Sequence, residues 1–163
     1  MGSHASADAR AVLDAVRRIV RLLRQSDHEA QQKTGLSGAQ LFVLQQLRAA
    51  GEPVTPGDLS SRTLTHQSSV SGVVRRLCEA GYVARARSPS DARRVELSLT
   101  KAGRAAARHA PRLAQQRLIA AVDLLPVEQR AALSRGLAAL VAQLGIGEAR
   151  PHMFFEEGVA GAE

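Results

Sequence analysis

The stretch TPGDLSSRTLTHQSSVSGVVRRLCEAG, residues 55–81, holds two short helical patterns separated by a few residues. Thr55 followed by Pro56 is a helix start. The hydroxyl caps free N–H groups, and proline stands where its missing N–H costs nothing. This helix is expected to run to about Arg62. A second begins near Thr65 or His66. Val70, Val73, Val74 and Leu77 make its apolar face at three- and four-residue spacing, and Gly81 ends it. Two short helices around a turn of three or four residues are a candidate helix-turn-helix.

Directly after it the period changes from that of a helix to that of a strand. Tyr82 to Arg87 alternates small or apolar residues with Arg, and Val95, Leu97 and Leu99 alternate with Glu96 and Ser98. Ser88-Pro89-Ser90-Asp91-Ala92-Arg93 between them is rich in turn formers, so a β-hairpin with a loop longer than a tight turn is expected. Thr100 then caps a long helix expected to reach about Leu125. Pro126 opens another, carrying Leu133, Leu137, Leu140, Val141 and Leu144 and stopped by Gly145 and Gly147. On the N-terminal side, Val12, Val16, Ile19, Val20 and Leu23 predict a helix over 8–33. Ser37 is a candidate N-cap for a helix ending at Ala50–Gly51. The fold class is mainly α with a small β-hairpin wing.

Charge concentrates on this motif. The chain of 163 residues carries +7. Residues 55–104 hold nine basic side chains against four acids, so +5 of that total lies in the helix-turn-helix and hairpin. A basic surface on such a motif points to nucleic acid. Aromatic residues are 2%, too few for the stacking platforms of single-strand binders. All basic residues except Lys33 and Lys101 are Arg, suited to phosphate and guanine. There is no Asn, so only Gln is left to pair with adenine. On the second helix Ser68, Gly72 and Arg75 lie opposite the valines, Ser69 and Ser71 flank them, and Gln67 sits in the first turn. Small hydroxyls and one Arg let a helix approach a groove closely.

These residues resemble the MarR family of winged helix-turn-helix transcriptional regulators. The resemblance is carried by Leu59-Ser60-Ser61-Arg62 through Ser69-Val70-Ser71 and by Arg76-Leu77-Cys78-Glu79-Ala80-Gly81-Tyr82-Val83. The wing adds Asp91-Ala92-Arg93-Arg94-Val95-Glu96-Leu97-Ser98-Leu99-Thr100-Lys101-Ala102-Gly103. It implies a homodimer with dimerisation helices at 8–33 and 104–145, a DNA-binding domain at 34–103, and an acidic tail at 146–163 outside the match. It implies repression from pseudo-palindromic operators on double-stranded DNA, with release by a small phenolic or aromatic ligand in many members and a response to oxidation in some. The implied base readers are among Gln67, Ser68, Ser69, Ser71 and Arg75, with Arg93 as the wing contact and Arg94 in support. Two positions depart from the family pattern. Gly72 stands where a basic or larger polar residue is common, and Thr63-Leu64-Thr65 replaces an apolar-Gly-apolar turn.

Other chemistry is weak. His28-Glu29-Ala30-Gln31-Gln32 lacks the second His of a zinc-protease helix, and Gly145-Ile146-Gly147 lacks the third Gly of a dinucleotide loop. No catalytic residues and no cofactor are expected. His28, His109 and His152 are scattered, and no metal site is expected. Cys78, the one cysteine, reads as a structural thiol at the border of the apolar face, although Arg75 and Arg76 nearby leave a redox role open. Phe154-Phe155 in the acidic tail packs on the dimerisation lobe or is disordered, or instead covers a ligand cleft. No apolar run approaches the ~18 residues of a membrane span, so a cytoplasmic location is expected. The rival readings are an architectural or non-specific DNA-binding protein and, last, a small enzyme lacking any nucleophile–base pair.

Overall fold

The structure, a computed structural model, describes residues 2–51, 53–91, 93–147 and 151–156, with side chains from residue 7 onward. Helix α1 (Gly2–Thr34) begins earlier than the expected residue 8, because the alanine-rich start continues the helical run. It ends where Gly35 turns the chain at φ +72°. Ser37 and Gln40 form a reciprocal capping box that starts α2 (Gly38–Ala50), and Gly51 closes it in the left-handed conformation. Asp27 on α1 accepts the Gly38 N–H at 2.6 Å, which fixes the angle between the two helices.

Helix α3 (Pro56–Thr63) starts on a second capping box, Thr55 with Asp58, and α4 (Gln67–Glu79) follows. The valine face of α4 is buried as expected, against Leu41, Phe42, Leu44 and Leu59. Strands β1 (Val83–Arg87) and β2 (Val95–Leu99) pair antiparallel, Val83 opposite Leu99 and Arg87 opposite Val95. Val54, just before α3, bridges to Leu97 on the other edge of β2.

Thr100 caps α5 (Lys101–His109) by accepting the Gly103 N–H at 3.0 Å, and its hydroxyl donates to the Gly81 carbonyl at 2.8 Å. A Cβ at position 103 would collide with the Tyr82 carbonyl, so only glycine lets α5 lie this close to the root of the wing. This is the physical content of the Leu-Thr-x-x-Gly motif.

The single helix expected from Thr100 to Leu125 is two helices. Ala110 is extended at φ −62°, ψ 135°, and α6 (Ala114–Asp123) starts afresh after Pro111. Proline disfavours helical geometry in the residue before it and has no N–H to donate, so the Ala110-Pro111 pair encodes the break. Helix α5 packs on α2 and β2, whereas α6 packs on α1, where Ser26 accepts the Ala114 N–H at 2.9 Å. Helix α7 (Val127–Gln143) follows Pro126 as expected and buries none of its residues. The chain exposes 11358 Å², whereas a compact monomer of 17.3 kDa exposes about 7,800 Å². Much of the apolar part of that surface lies on α1 and α7. No helix among the described residues is long and apolar enough to cross a membrane.

Candidate nucleic-acid interface

Between α3 and α4 the chain turns at Leu64, held at φ +52° and ψ +40° with its side chain in solvent. His66 then starts α4 without a side-chain cap bond, and the N–H groups of Gln67 and Ser68 have no acceptor among the described residues. Free N–H groups at a helix start suit a phosphate, a feature the sequence reading missed. The Gln67, Ser68, Ser71 and Arg75 side chains are exposed on one face of α4. The Ser71 hydroxyl donates to the Gln67 carbonyl at 2.8 Å and keeps its lone pairs free to accept. Arg75 lies 3.9 Å from Glu79, both well exposed, a pairing too weak to hold the guanidinium.

Ser69, expected among the readers, is buried instead. Its hydroxyl donates to the Pro151 carbonyl at 3.2 Å, because the C-terminal segment crosses this flank of α4. Arg76, about two turns further along the same flank, is half-buried against Glu156 at 3.4 Å. Five of the seven candidate residues therefore belong to α4, and four of those five face solvent.

The wing carries the other two. Arg93 and Arg94 are both exposed at its tip. Asp91 holds this loop through backbone N–H groups. Its carboxylate accepts the Arg93 backbone N–H at 3.0 Å and its carbonyl accepts that of Arg94 at 2.9 Å. Both guanidinium groups stay free of ion pairs among the described residues. The Ser88 N–H closes the loop base on the Arg94 carbonyl at 2.9 Å. At the foot of the wing, hydrogen bonds from Thr55 hold the Asp58 carboxyl below its ordinary range, and the positive charges of Arg94 and Arg62 act in the same direction. The α4 face and the wing tip thus present two cationic, donor-rich elements.

A family model described as "MarR family" matches residues 34–94. The HTH-type transcriptional regulator ML2140 of Mycobacterium leprae (strain TN) is 31% identical over 137 residues, 84% of this chain and 94% of that protein. The chain belongs to the MarR family.

MarR-family membership places it among HTH-type transcriptional regulators rather than enzymes. The fold agrees with solved MarR-family structures. The chain is similar to Bordetella bronchiseptica BpsR, whose DNA binding is regulated by 6-hydroxynicotinic acid. That similarity has a TM-score of 0.54 and 27% identity, covering 81% of this chain and 91% of that one. It is also similar in fold to a cysteine-to-serine mutant of MarR from E. coli complexed with operator DNA, at TM-score 0.54 and 24% identity, covering 80% and 96%. The Bacillus subtilis (strain 168) HTH-type regulators YcgE and YdcH match at 44% and 38% identity, and the chain spans 42% and 63% of their lengths.

Two openings lie beside these elements. A crevice of about 580 Å³ opens between the α3–α4 turn, α6 and the C-terminal segment. Ser60, Thr65, His66 and His152 give it polar groups, and Leu118, Ile119 and Phe154 an apolar wall. Phe154 also borders a second, almost wholly apolar cleft of about 820 Å³ between α1, α6 and α7. Cys78 is half-buried, and burial raises its thiol above the ordinary range. Arg85, not Arg75 or Arg76, is the cation that opposes this, and Glu79 adds to the rise. His28 contacts Gln32, His109 the Ala105 carbonyl and His152 Glu156, three separate places. Among the described residues no cluster of three metal-binding side chains occurs.

Proposed function

We propose that this chain is a DNA-binding transcriptional regulator that acts in the cytoplasm as a homodimer. It represses genes by occupying a pseudo-palindromic operator, and a small aromatic or phenolic ligand releases it. The observation that carries the reading is the open apolar cleft between α1, α6 and α7. Val12, Val16, Ile19, Leu133, Leu137 and Leu140 line it, and its walls offer almost no polar atoms. Such a face is not left in water, and helices of a second copy fill it with matching chemistry. A two-fold axis through that layer sets two α4 helices apart, and successive major grooves call for about 34 Å between them.

The readers in this proposal are Gln67, Ser68, Ser71 and Arg75 on α4, with Arg93 and Arg94 on the wing. Ser69, buried against Pro151, is not among them. The 580 Å³ crevice falls within the roughly 300–1,000 Å³ of small-molecule sites. Its position between the helix-turn-helix and α6 supports a ligand that changes the spacing of the two lobes. The regulation of BpsR by 6-hydroxynicotinic acid supports the same ligand class.

The test is sedimentation and footprinting. Leu137→Glu with Leu140→Glu buries unpaired charge in the joining layer and should yield monomer or insoluble chain. Unchanged dimer mass overturns the dimer. Protection of one palindrome supports a regulator, and weak protection everywhere supports an architectural protein instead. If neither salicylate, 6-hydroxynicotinic acid nor any other compound of an aromatic panel changes operator affinity, the sensing role is dropped.

A further inference from the structure

Three contacts bind the C-terminal segment 151–156 to α4 and the core. The Ser69 hydroxyl donates to the Pro151 carbonyl at 3.2 Å. Met153 is buried in the core cluster of the winged lobe. Glu156, its side chain only 11% exposed, meets Arg76 at 3.4 Å. Gly72 lies between these anchors, and a Cβ there would stand 2.8 Å from the Glu156 Oε1. A glycine in the interior of a helix costs roughly 1 kcal/mol relative to alanine. Here the carboxylate rests where a Cβ would stand, and a Cβ would make the flexible end of the Glu156 side chain shift.

The strap is placed to act on DNA binding. Position 72 borders the face that carries Ser68, Ser71 and Arg75, so the Glu156 carboxylate sits beside the surface offered to the groove. It neutralises Arg76 and would bring negative charge toward phosphates. The latch is also incompletely satisfied among the described residues: the Arg76 Nε is buried without a hydrogen-bond partner, and the Glu156 Oε2, which likewise makes no hydrogen bond, has only the His152 imidazole at 3.5 Å. A buried pair whose remaining polar atoms go unmet repays little of its desolvation. Such a contact opens at low cost when a stronger polyanion competes for the helix.

We propose that residues 151–156 are an autoinhibitory strap, docked on the Ser69–Gly72–Arg76 flank of α4 and displaced when that helix enters DNA. This rests on the reading of α4 as the DNA-contacting helix. It adds an internal competitor whose strength is set by Glu156. Because Pro151, His152 and Phe154 also wall the 580 Å³ crevice, a molecule bound there holds the strap down and raises the cost of entering the groove.

The experiment uses the full chain and a duplex selected by it from a random pool, with a scrambled duplex as control. Glu156→Gln keeps the side-chain shape and the Met153 anchor while removing the charge. It should tighten binding at low salt by about fivefold or more per subunit, the worth of one unit charge about 4 Å from another in water. The gain should shrink as salt rises. The Glu156 N–H, bonded to the Met153 carbonyl at 3.1 Å, should exchange more slowly in the free protein than in the DNA complex. Met153→Ala, which loosens the strap by another route, should also tighten binding. Equal, measurable affinities for wild type and Glu156→Gln, or unchanged exchange of the Glu156 N–H on DNA, overturn the strap and leave the regulator reading standing. No binding by wild type or by either variant overturns both.

Discussion

Val54 and Leu97 exchange both of their backbone hydrogen bonds, at 3.0 and 2.8 Å. Leu97 is fully buried in the second wing strand, and Val54 stands just ahead of the capping box that starts α3. The wing is therefore referenced directly to the entry of the helix-turn-helix, and wing and α3 move as one piece. Val54→Pro removes the N–H and strands the Leu97 carbonyl, at a cost of about 1–3 kcal/mol. The expected outcome is a lower urea midpoint together with weaker DNA binding. An unchanged midpoint would mean that the bridge carries no stability.

Leu64 holds a backbone conformation that glycine adopts freely, and at 72% exposure it gains little from burial. Left-handed geometry costs a residue with a Cβ roughly 1–2 kcal/mol. Glycine also gives more entropy to the unfolded chain, so Leu64→Gly should stabilise by about 0.5–1 kcal/mol net. A fall in the denaturation midpoint would show that the exposed leucine packs on something outside the single chain.

Arg93 and Gln67 should fail in different ways. The wing Arg is exposed and unpaired, so Arg93→Ala should weaken binding to matched and scrambled duplexes alike. It should also reduce the salt slope by about one phosphate equivalent per subunit. Gln67→Ala should instead flatten discrimination at one base pair by about 1–3 kcal/mol. Salt titrations on both duplexes separate the two. If Arg93→Ala leaves the scrambled-duplex slope untouched, the wing is not a DNA arm.

For Cys78 the raised pKa sets the expected reactivity. The thiol is the folded-state form through neutral pH, and the reactive thiolate accumulates only as pH rises past a value above the usual one. Alkylation of the native chain near pH 7 should be slower than that of the unfolded chain. Cys78→Ser should keep DNA binding and any regulation. Peroxide-driven release that is lost in Cys78→Ser would assign the thiol a sensing role.

What the sequence made legible was whatever is encoded locally. The capping hydroxyls of Ser37, Thr55 and Thr100, the valine face of α4 and the alternation of β2 all emerged where their short-range patterns placed them. The break at Ala110 was also local, but the alanine-rich run on either side masked it. Ser69 and Arg76 were different in kind. Their surroundings are set by residues 82 and 80 positions away, and no periodicity in α4 announces a segment lying across it. The Val54 bridge escaped for the same reason: a single pair has no alternation to read.

The extended residues between α5 and α6 give the winged lobe leverage. The winged lobe joins the α1–α6 layer through two extended crossings, one at Gly35 and one at Ala110–Leu113, and the Asp27–Gly38 bond and the docked segment 151–156 brace it. With those braces released, the two crossings define an axle. Helix α4, with 13 residues, is about 20 Å long. Turning it about such an axle by roughly ten degrees sweeps its far end through about 3.5 Å, close to one base-pair step along a strand. On the reading of α4 as the DNA-contacting helix, a small rotation of the lobe would change which base pair each of its side chains meets.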